Sequence, residues 1–157
     1  MIKIKIVAIG KVKEDYFLKG IEEYSKRLQK FCEFEIVEVK EVNYKNPTTA
    51  EIEQIIKKES ELISSHLTGA VVAMAIEGKL LSTSDLKDYI DKKSVSGQSE
   101  ITFVIGGSYG LDENIKNRAT DKISLSKMTF PHTMARLILT EQIYRAFTIM
   151  NNLTYHK

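Results

Sequence analysis

Three short stretches concentrate residues suited to holding a small molecule: Met74-Ala75-Ile76-Glu77-Gly78, Gly106-Gly107-Ser108-Tyr109-Gly110 and Leu125-Ser126-Lys127-Met128-Thr129-Phe130-Pro131-His132. Glycines just beyond a buried strand let the backbone approach a ligand or turn with positive φ, and a tight turn with no ligand uses the same residues. The Gly-Gly-x-x-Gly run follows the fourth strand, not the first, and lacks the Lys-Ser/Thr ending of a P-loop. A standard nicotinamide-dependent enzyme and a P-loop nucleoside triphosphatase are therefore excluded. Of the three histidines, His66 falls late in a helix where it can serve terminal carbonyls, and His132 opens the last helix behind Pro131. His156 lies among the last three residues. No histidines and carboxylates stand at metal-ligand spacing, and no Ser-His-Asp or Cys-His set is present. Cys32, between Phe31 and Phe34, reads as a small core residue. Arg136 can grip a carboxylate or phosphate with two parallel hydrogen bonds, or pair with an acid such as Glu141. Tyr155-His156-Lys157 joins an aromatic ring, an ionisable ring and a cation, a set that can stack on a base and contact phosphate.

The elements that must position these residues alternate between strand and helix. Ile2, Ile4 and Ile6 alternate with lysines before Val7-Ala8-Ile9 closes a first strand at Gly10. Helical spacing of Phe17, Ile21, Tyr24, Leu28 and Phe31 follows, then a second strand over Phe34 to Val42. Thr48-Thr49-Ala50-Glu51 is a capping box that opens a helix along Ile52, Ile55, Ile56, Glu59, Leu62 and Ile63. Ala70 to Ile76 and Ile101 to Ile105 are runs without polar alternation, as expected of strands covered on both faces. A short helix starting at Ser82-Thr83-Ser84-Asp85 lies between them. A helix over Glu113 to Ala119, a strand near Ile123 to Ser126, a connection through Pro131 and a long helix over Thr133 to Met150 complete the chain. This alternation predicts an α/β fold, a mostly parallel sheet with helices on both faces, in a single domain over residues 1–157.

Composition agrees. The chain has 157 residues, 43% of them hydrophobic and 28% charged, which excludes a disordered tail, a collagen-like fibre and a small disulfide scaffold. The longest stretch without Asp, Glu, Lys or Arg, Leu62 to Ile76, falls short of the roughly 20 apolar residues a membrane span needs. With one cysteine and no signal-peptide core, a cytoplasmic location is expected. The net charge of +2 does not by itself mark a nucleic-acid binder, but its distribution is uneven. Residues 1–80 carry 13 basic and 13 acidic side chains, whereas Lys116 to Lys157 holds seven basic residues against Asp121 and Glu141. Such an excess attracts phosphate if the fold gathers it on one face, and is otherwise an ordinary surface fluctuation.

Taken together, Ile-Gly-Gly-Ser-Tyr-Gly-Leu at 105–111, Leu-Ser-Lys-Met-Thr-Phe-Pro-His at 125–132, Glu-Gln-Ile-Tyr-Arg-Ala-Phe at 141–147 and the terminal Tyr155-His156-Lys157 are specific. With the opening Ile-Lys-Ile-Val-Ala-Ile-Gly, they resemble the RlmH family of SPOUT-class RNA methyltransferases over essentially the whole chain. The resemblance implies a SPOUT-type fold with a C-terminal trefoil knot, and a homodimer. It also implies S-adenosylmethionine-dependent methylation of N3 of a pseudouridine in large-subunit ribosomal RNA, on the assembled ribosome, with no metal and no membrane. Carried onto this chain, it places the cofactor at Met74, Gly106, Leu125, Ser126, Lys127, Met128, Thr129 and Phe130. Met74 stands where relatives often have another apolar residue such as Leu, which keeps an apolar wall. For Met74 and Leu125, plain core packing is the competing role. His132, Arg136, Tyr155 and His156 are expected around the target base, with Arg136 holding charge, Tyr155 stacking and His156 or a water taking the proton. A non-catalytic ribosome-binding factor and a flavodoxin-like nucleotide-binding module are the competing readings.

Overall fold

The computed structural model describes all residues from Met1 to Lys157. In chain order the elements are β1 (Lys3–Ile9), α1 (Asp15–Leu28), β2 (Glu33–Val39), α2 (Thr49–Ser64), β3 (Ala70–Leu80), α3 (Thr83–Val95), β4 (Glu100–Ile105), α4 (Glu113–Arg118), β5 (Asp121–Ser124) and α5 (His132–Met150). All strand pairs are parallel, in the order β2-β1-β4-β3-β5. Because side chains alternate along a strand, each central strand feeds two cores. Ile4, Ile6 and Ala8 of β1, Val72 of β3 and Phe103 of β4 pack against Leu28 of α1, Ile90 of α3 and Leu139 and Ile143 of α5. Val7, Ile9, Ala73 and Val104 face the other way, onto Ile63 of α2 and Ile115 of α4. The alternating lysines of β1 do not mark a solvated face. Lys5 is buried, and its ammonium donates to Thr68 Oγ1 at 2.8 Å and lies 3.5 Å from Glu100.

Two helices begin on reciprocal caps. Thr48 accepts from the Glu51 amide while Glu51 accepts from the Thr48 amide, and Ser82 and Asp85 repeat the arrangement at α3. His66 lies just past α2, its amide donating to the Ile63 carbonyl at 2.9 Å. Three strands depart from the sequence-based expectation. β5 covers Asp121–Ser124, not Ile123–Ser126, because the Ser124 hydroxyl donates to the Ser126 carbonyl and turns the chain away. β2 stops at Val39, not Val42, because its only partner, β1, ends at Ile9 opposite Val39. β3 runs past Ile76 to Leu80. Beyond Met74 it loses β4, whose last paired residue is Ile105, and continues along β5 alone with a break in register, so that Met74 and Lys79 both oppose Ile123. The segment between them is displaced from the ladder as a bulge. Gly78 is required there: a Cβ would lie 2.7 Å from the Ile123 amide nitrogen.

The connection after β5 crosses the carboxyl edge of the sheet. β5 is the edge strand beside β3, yet the first turn of α5 reaches β1 and β2 through Arg136. Residues 125–131 therefore span the ends of the intervening strands.

Candidate functional site

Parallel strands end together, and the loops that leave their carboxyl ends enclose a cleft of about 920 Å³. This is within the size range of small-molecule sites. Its walls come from the β3 bulge (Met74, Ala75, Ile76, Glu77), the glycine loop after β4 (Gly106, Gly107, Ser108, Gly110, Leu111) and the crossing segment after β5 (Leu125, Ser126, Met128, Thr129, Phe130, Pro131). His132 and Thr133 of α5 close one end, together with Lys11, Lys13, Glu14 and Glu41.

Each wall has a local cause. The glycine loop folds back so that Gly107 bridges Gly110, and Gly110 takes φ +85°. A Cβ on Gly106 would lie 2.7 Å from the Gly110 carbonyl carbon, so only glycine closes this turn. Gly107 is small for another reason. Beneath it the buried Glu59 of α2 would meet an added Cβ at 3.1 Å, and the same carboxylate accepts from the Val42 amide at 3.2 Å. Burial pushes the Glu59 carboxyl up, its bond from Val42 pulls it down, and the neighbouring Glu41 pushes it up again. The crossing segment is turned by Ser124, whose hydroxyl donates to the Ser126 carbonyl at 2.8 Å, and by the Met128 amide donating to Ser126 Oγ at 3.0 Å. Lys116 of α4 latches to Glu77 of the bulge at 2.7 Å, which holds the Glu77 carboxyl below the usual carboxylate range.

Seven of the eight residues expected at a cofactor, Met74, Gly106, Leu125, Ser126, Met128, Thr129 and Phe130, line this one cleft. Lys127 belongs to the same segment but is exposed and outside the lining. His132 is at the cleft and half-buried. Burial lowers its pKa, as does Arg136, while Glu41 and Glu14 oppose the shift. The imidazole is therefore neutral at neutral pH.

The other expected residues stand elsewhere. Arg136 is 2% exposed and absent from the cleft lining. Its guanidinium pairs with Glu38, not Glu141, and donates from Nη2 to the Ile9 and Gly10 carbonyls at 3.3 and 3.0 Å. It thus ties down the carboxyl end of β1. Tyr155 and His156 lie past the far end of α5. The Tyr155 hydroxyl donates to Glu141 at 3.1 Å and lies 3.2 Å from the Tyr24 hydroxyl. Arg145 stacks 4.7 Å over the Tyr155 ring, donates from Nε to Glu141 at 2.9 Å, and has Nη1 3.3 Å from His156 Nδ1. Along a helix that rises 1.5 Å per residue, Arg145 is about 20 Å from His132. One chain therefore presents two separate groups: a cleft with His132, and a Tyr-Arg-His cluster at the tail.

Sequence reasoning missed Lys11, Lys13, Glu14, Glu41 and Lys116. The signal existed for the first four. Ligands gather at carboxyl strand ends, and the ends of β1 and β2 were as eligible as those of β3, β4 and β5. Cys32 is buried as expected, and burial pushes its thiol up to about 12, so it is no nucleophile at neutral pH. No cluster of three or more His, Cys, Asp or Glu side chains is placed to hold a metal ion.

A family model described as predicted SPOUT methyltransferase matches residues 2–156, nearly the entire chain. The chain belongs to the SPOUT methyltransferase family. Within that family it is 47% identical to a Limosilactobacillus reuteri protein named ribosomal RNA large subunit methyltransferase H, over 98% of this chain and 99% of the relative. It is 45% identical to a Carboxydothermus hydrogenoformans protein of the same name, over 99% of each chain, and 46% identical to one from Streptococcus uberis. Among solved structures, a probable methylase family protein from Haemophilus influenzae Rd KW20 superposes with a TM-score of 0.55. That match covers 98% of this chain and 70% of the other at 16% identity, and so bears on the fold alone. SPOUT membership gives the chain a chemical class, methyl transfer.

Proposed function

We propose that this protein uses S-adenosylmethionine to methylate N3 of a pseudouridine in large-subunit ribosomal RNA, as a homodimer acting on the assembled ribosome in the cytoplasm. One observation carries the reading: seven residues expected at the cofactor, drawn from three distant segments, line a single cleft at the carboxyl edge of the sheet. The cleft fits the cofactor in size and lining. Met74, Leu125 and Phe130 offer apolar surface for an adenine ring, and the glycine loop and residues 125–130 offer backbone amides and carbonyls to its edge. A buried, unpartnered Glu14 carboxylate oxygen suits a cationic ligand. When bound there, the cofactor supplies an activated methyl group on a sulfonium.

The chain's own residues then have to align the base and manage its proton. An imide nitrogen attacks well only once deprotonated, so a base or an anion-stabilising cation is needed beside it. His132, neutral and at the cleft, is placed to touch the substrate. Tyr155 and His156 of the same chain are about 20 Å away along α5, so the tail acts on the cleft of a second copy. There Tyr155 stacks on the uracil ring and His156 or a water takes the N3 proton. Arg136 contributes by fixing the β1 end beneath His132, given its partners in the interior. The crossing of residues 125–131 over the strand ends supports threading of the C-terminal half as a trefoil knot. With a net charge of +2, affinity for naked RNA is weak, which supports recognition of an assembled particle.

The test is transfer of labelled methyl from S-adenosylmethionine to ribosomes from cells lacking this protein, beside isolated rRNA and separated subunits. A mark mapped to N3 of one pseudouridine, formed only on assembled particles, is the expected result. Cofactor binding without transfer to any of these substrates would overturn the enzymatic reading and favour a non-catalytic ribosome-binding factor.

A further inference from the structure

One end of the cleft carries charges that the protein itself leaves uncommitted. Lys11, Lys13, Glu14 and Glu41 converge there from the loops after β1 and β2, and none of the four is among the ion pairs of the fold. Glu14 is the most informative. It stands at the N-cap of α1, where a short polar side chain would normally accept from the first turn, yet its carboxylate makes no capping bond. One of its oxygens, Oε2, is buried with no hydrogen-bond partner at all. A carboxylate oxygen kept dry and unpaired is costly, and because Glu14 lines the cleft, a ligand that brings a donor to this carboxylate offsets that cost. His132, at the same cleft, has its pKa lowered by burial and does not neutralise it. The segment is also rigidly set, because Arg136 ties down the Ile9 and Gly10 carbonyls immediately before it.

A ligand that matches uncommitted charges of both signs is a zwitterion. We propose that Glu14, supported by Glu41, receives the α-ammonium of the cofactor's amino-acid end, and that Lys11 and Lys13 face its α-carboxylate. This rests on the S-adenosylmethionine reading of the cleft. An ammonium offers three donors and pairs with the Glu14 carboxylate through a charge-assisted hydrogen bond. The adenosyl part then extends from this end toward Met74, Leu125 and Phe130.

Calorimetric titration of the purified full chain with two ligands tests the assignment. S-adenosylhomocysteine and 5′-methylthioadenosine share the adenosine and an uncharged sulfur, and only the first has an amino-acid end. The wild type is expected to bind S-adenosylhomocysteine about tenfold or more tightly than 5′-methylthioadenosine. Glu14→Gln is expected to erase about tenfold of the first affinity or more while leaving the second within about twofold. The unchanged ligand reports an intact fold and nucleoside site. Equal wild-type affinities, a Glu14→Gln variant that weakens both ligands alike, or one that weakens neither would overturn the proposal while leaving the cofactor reading in place. Failure of the wild type to bind either ligand would remove both.

Discussion

At the scale of single residues, the same side-chain type has different work depending on what surrounds it. Arg136 and Arg145 are nine positions apart on α5. Arg136 is sealed inside with two backbone carbonyls and Glu38, whereas Arg145 lies over the Tyr155 ring beside Glu141. Replacing Arg136 by Met leaves the Ile9 and Gly10 carbonyls without donors, an expected cost of about 3 kcal/mol. In a chain of this size that is a fall of roughly 6–12 °C in Tm, readable by thermal denaturation. Arg136→Lys should recover only part of it, because a point cation cannot serve three acceptors in the plane of a guanidinium. Glu59 gives the second prediction. Burial raises its carboxyl pKa in the fold, so the folded state binds the proton more tightly than the unfolded chain does. Stability is therefore lost as pH rises from the ordinary carboxylate pKa through the raised value. Glu59→Gln keeps an acceptor for Val42 and abolishes the charge. Its Tm relative to wild type should rise as pH rises above the ordinary carboxylate range, and a difference that is flat with pH would refute this account.

At the scale of elements, the positions of breaks matter more than the elements themselves. Periodicity in the sequence placed all five strands and all five helices, since each central strand is a run of apolar residues and each long helix has an apolar stripe. It did not reveal the β3 bulge. Ala75-Ile76-Glu77-Gly78 reads locally as the end of a strand, and the register break exists only because β4 ends opposite Met74 while β5 continues. Gly78→Ala brings a Cβ to 2.7 Å from the Ile123 backbone and should cost about 1–3 kcal/mol through forced separation of β3 and β5. Urea unfolding would show this, with a lower midpoint at an unchanged m-value. The Thr48–Glu51 capping box, by contrast, was visible in advance because its partners lie within four residues of each other. Thr48→Ala should destabilise by about 1 kcal/mol, detectable in the same experiment, with no effect on ligand affinity.

At the scale of the whole molecule, the two groups with chemistry on them are held apart by the length of α5, and this makes a prediction about assembly. If the tail of one copy serves the cleft of another, a variant lacking the tail cluster (Tyr155→Ala, His156→Ala) and a variant with a blocked cleft (Gly106→Ala) should each be inactive alone. Mixed and reassembled, the pair should regain about a quarter to a half of wild-type turnover in a methyl-transfer assay, since each mixed dimer retains one intact composite site of its two. Activity of the tail variant alone would show that the tail is dispensable, and no recovery on mixing would show that each tail serves its own cleft. What the sequence by itself determined is local in origin: the α/β alternation, the helix caps and the apolar strands. The ordered motifs from Ile105 to Lys157 also matched a known family, and from it came the expectation of a cofactor at these residues. What only the tertiary structure decided is where charge ends up. Whether Arg136 meets Glu38 or Glu141, whether Lys5 is buried, and whether Glu14 caps its helix or faces a cleft all depend on strands that neighbour one another in the sheet while lying far apart in the chain. Charged side chains are long and take whichever partner the fold brings within reach, so hydrophobic periodicity carries no record of their contacts.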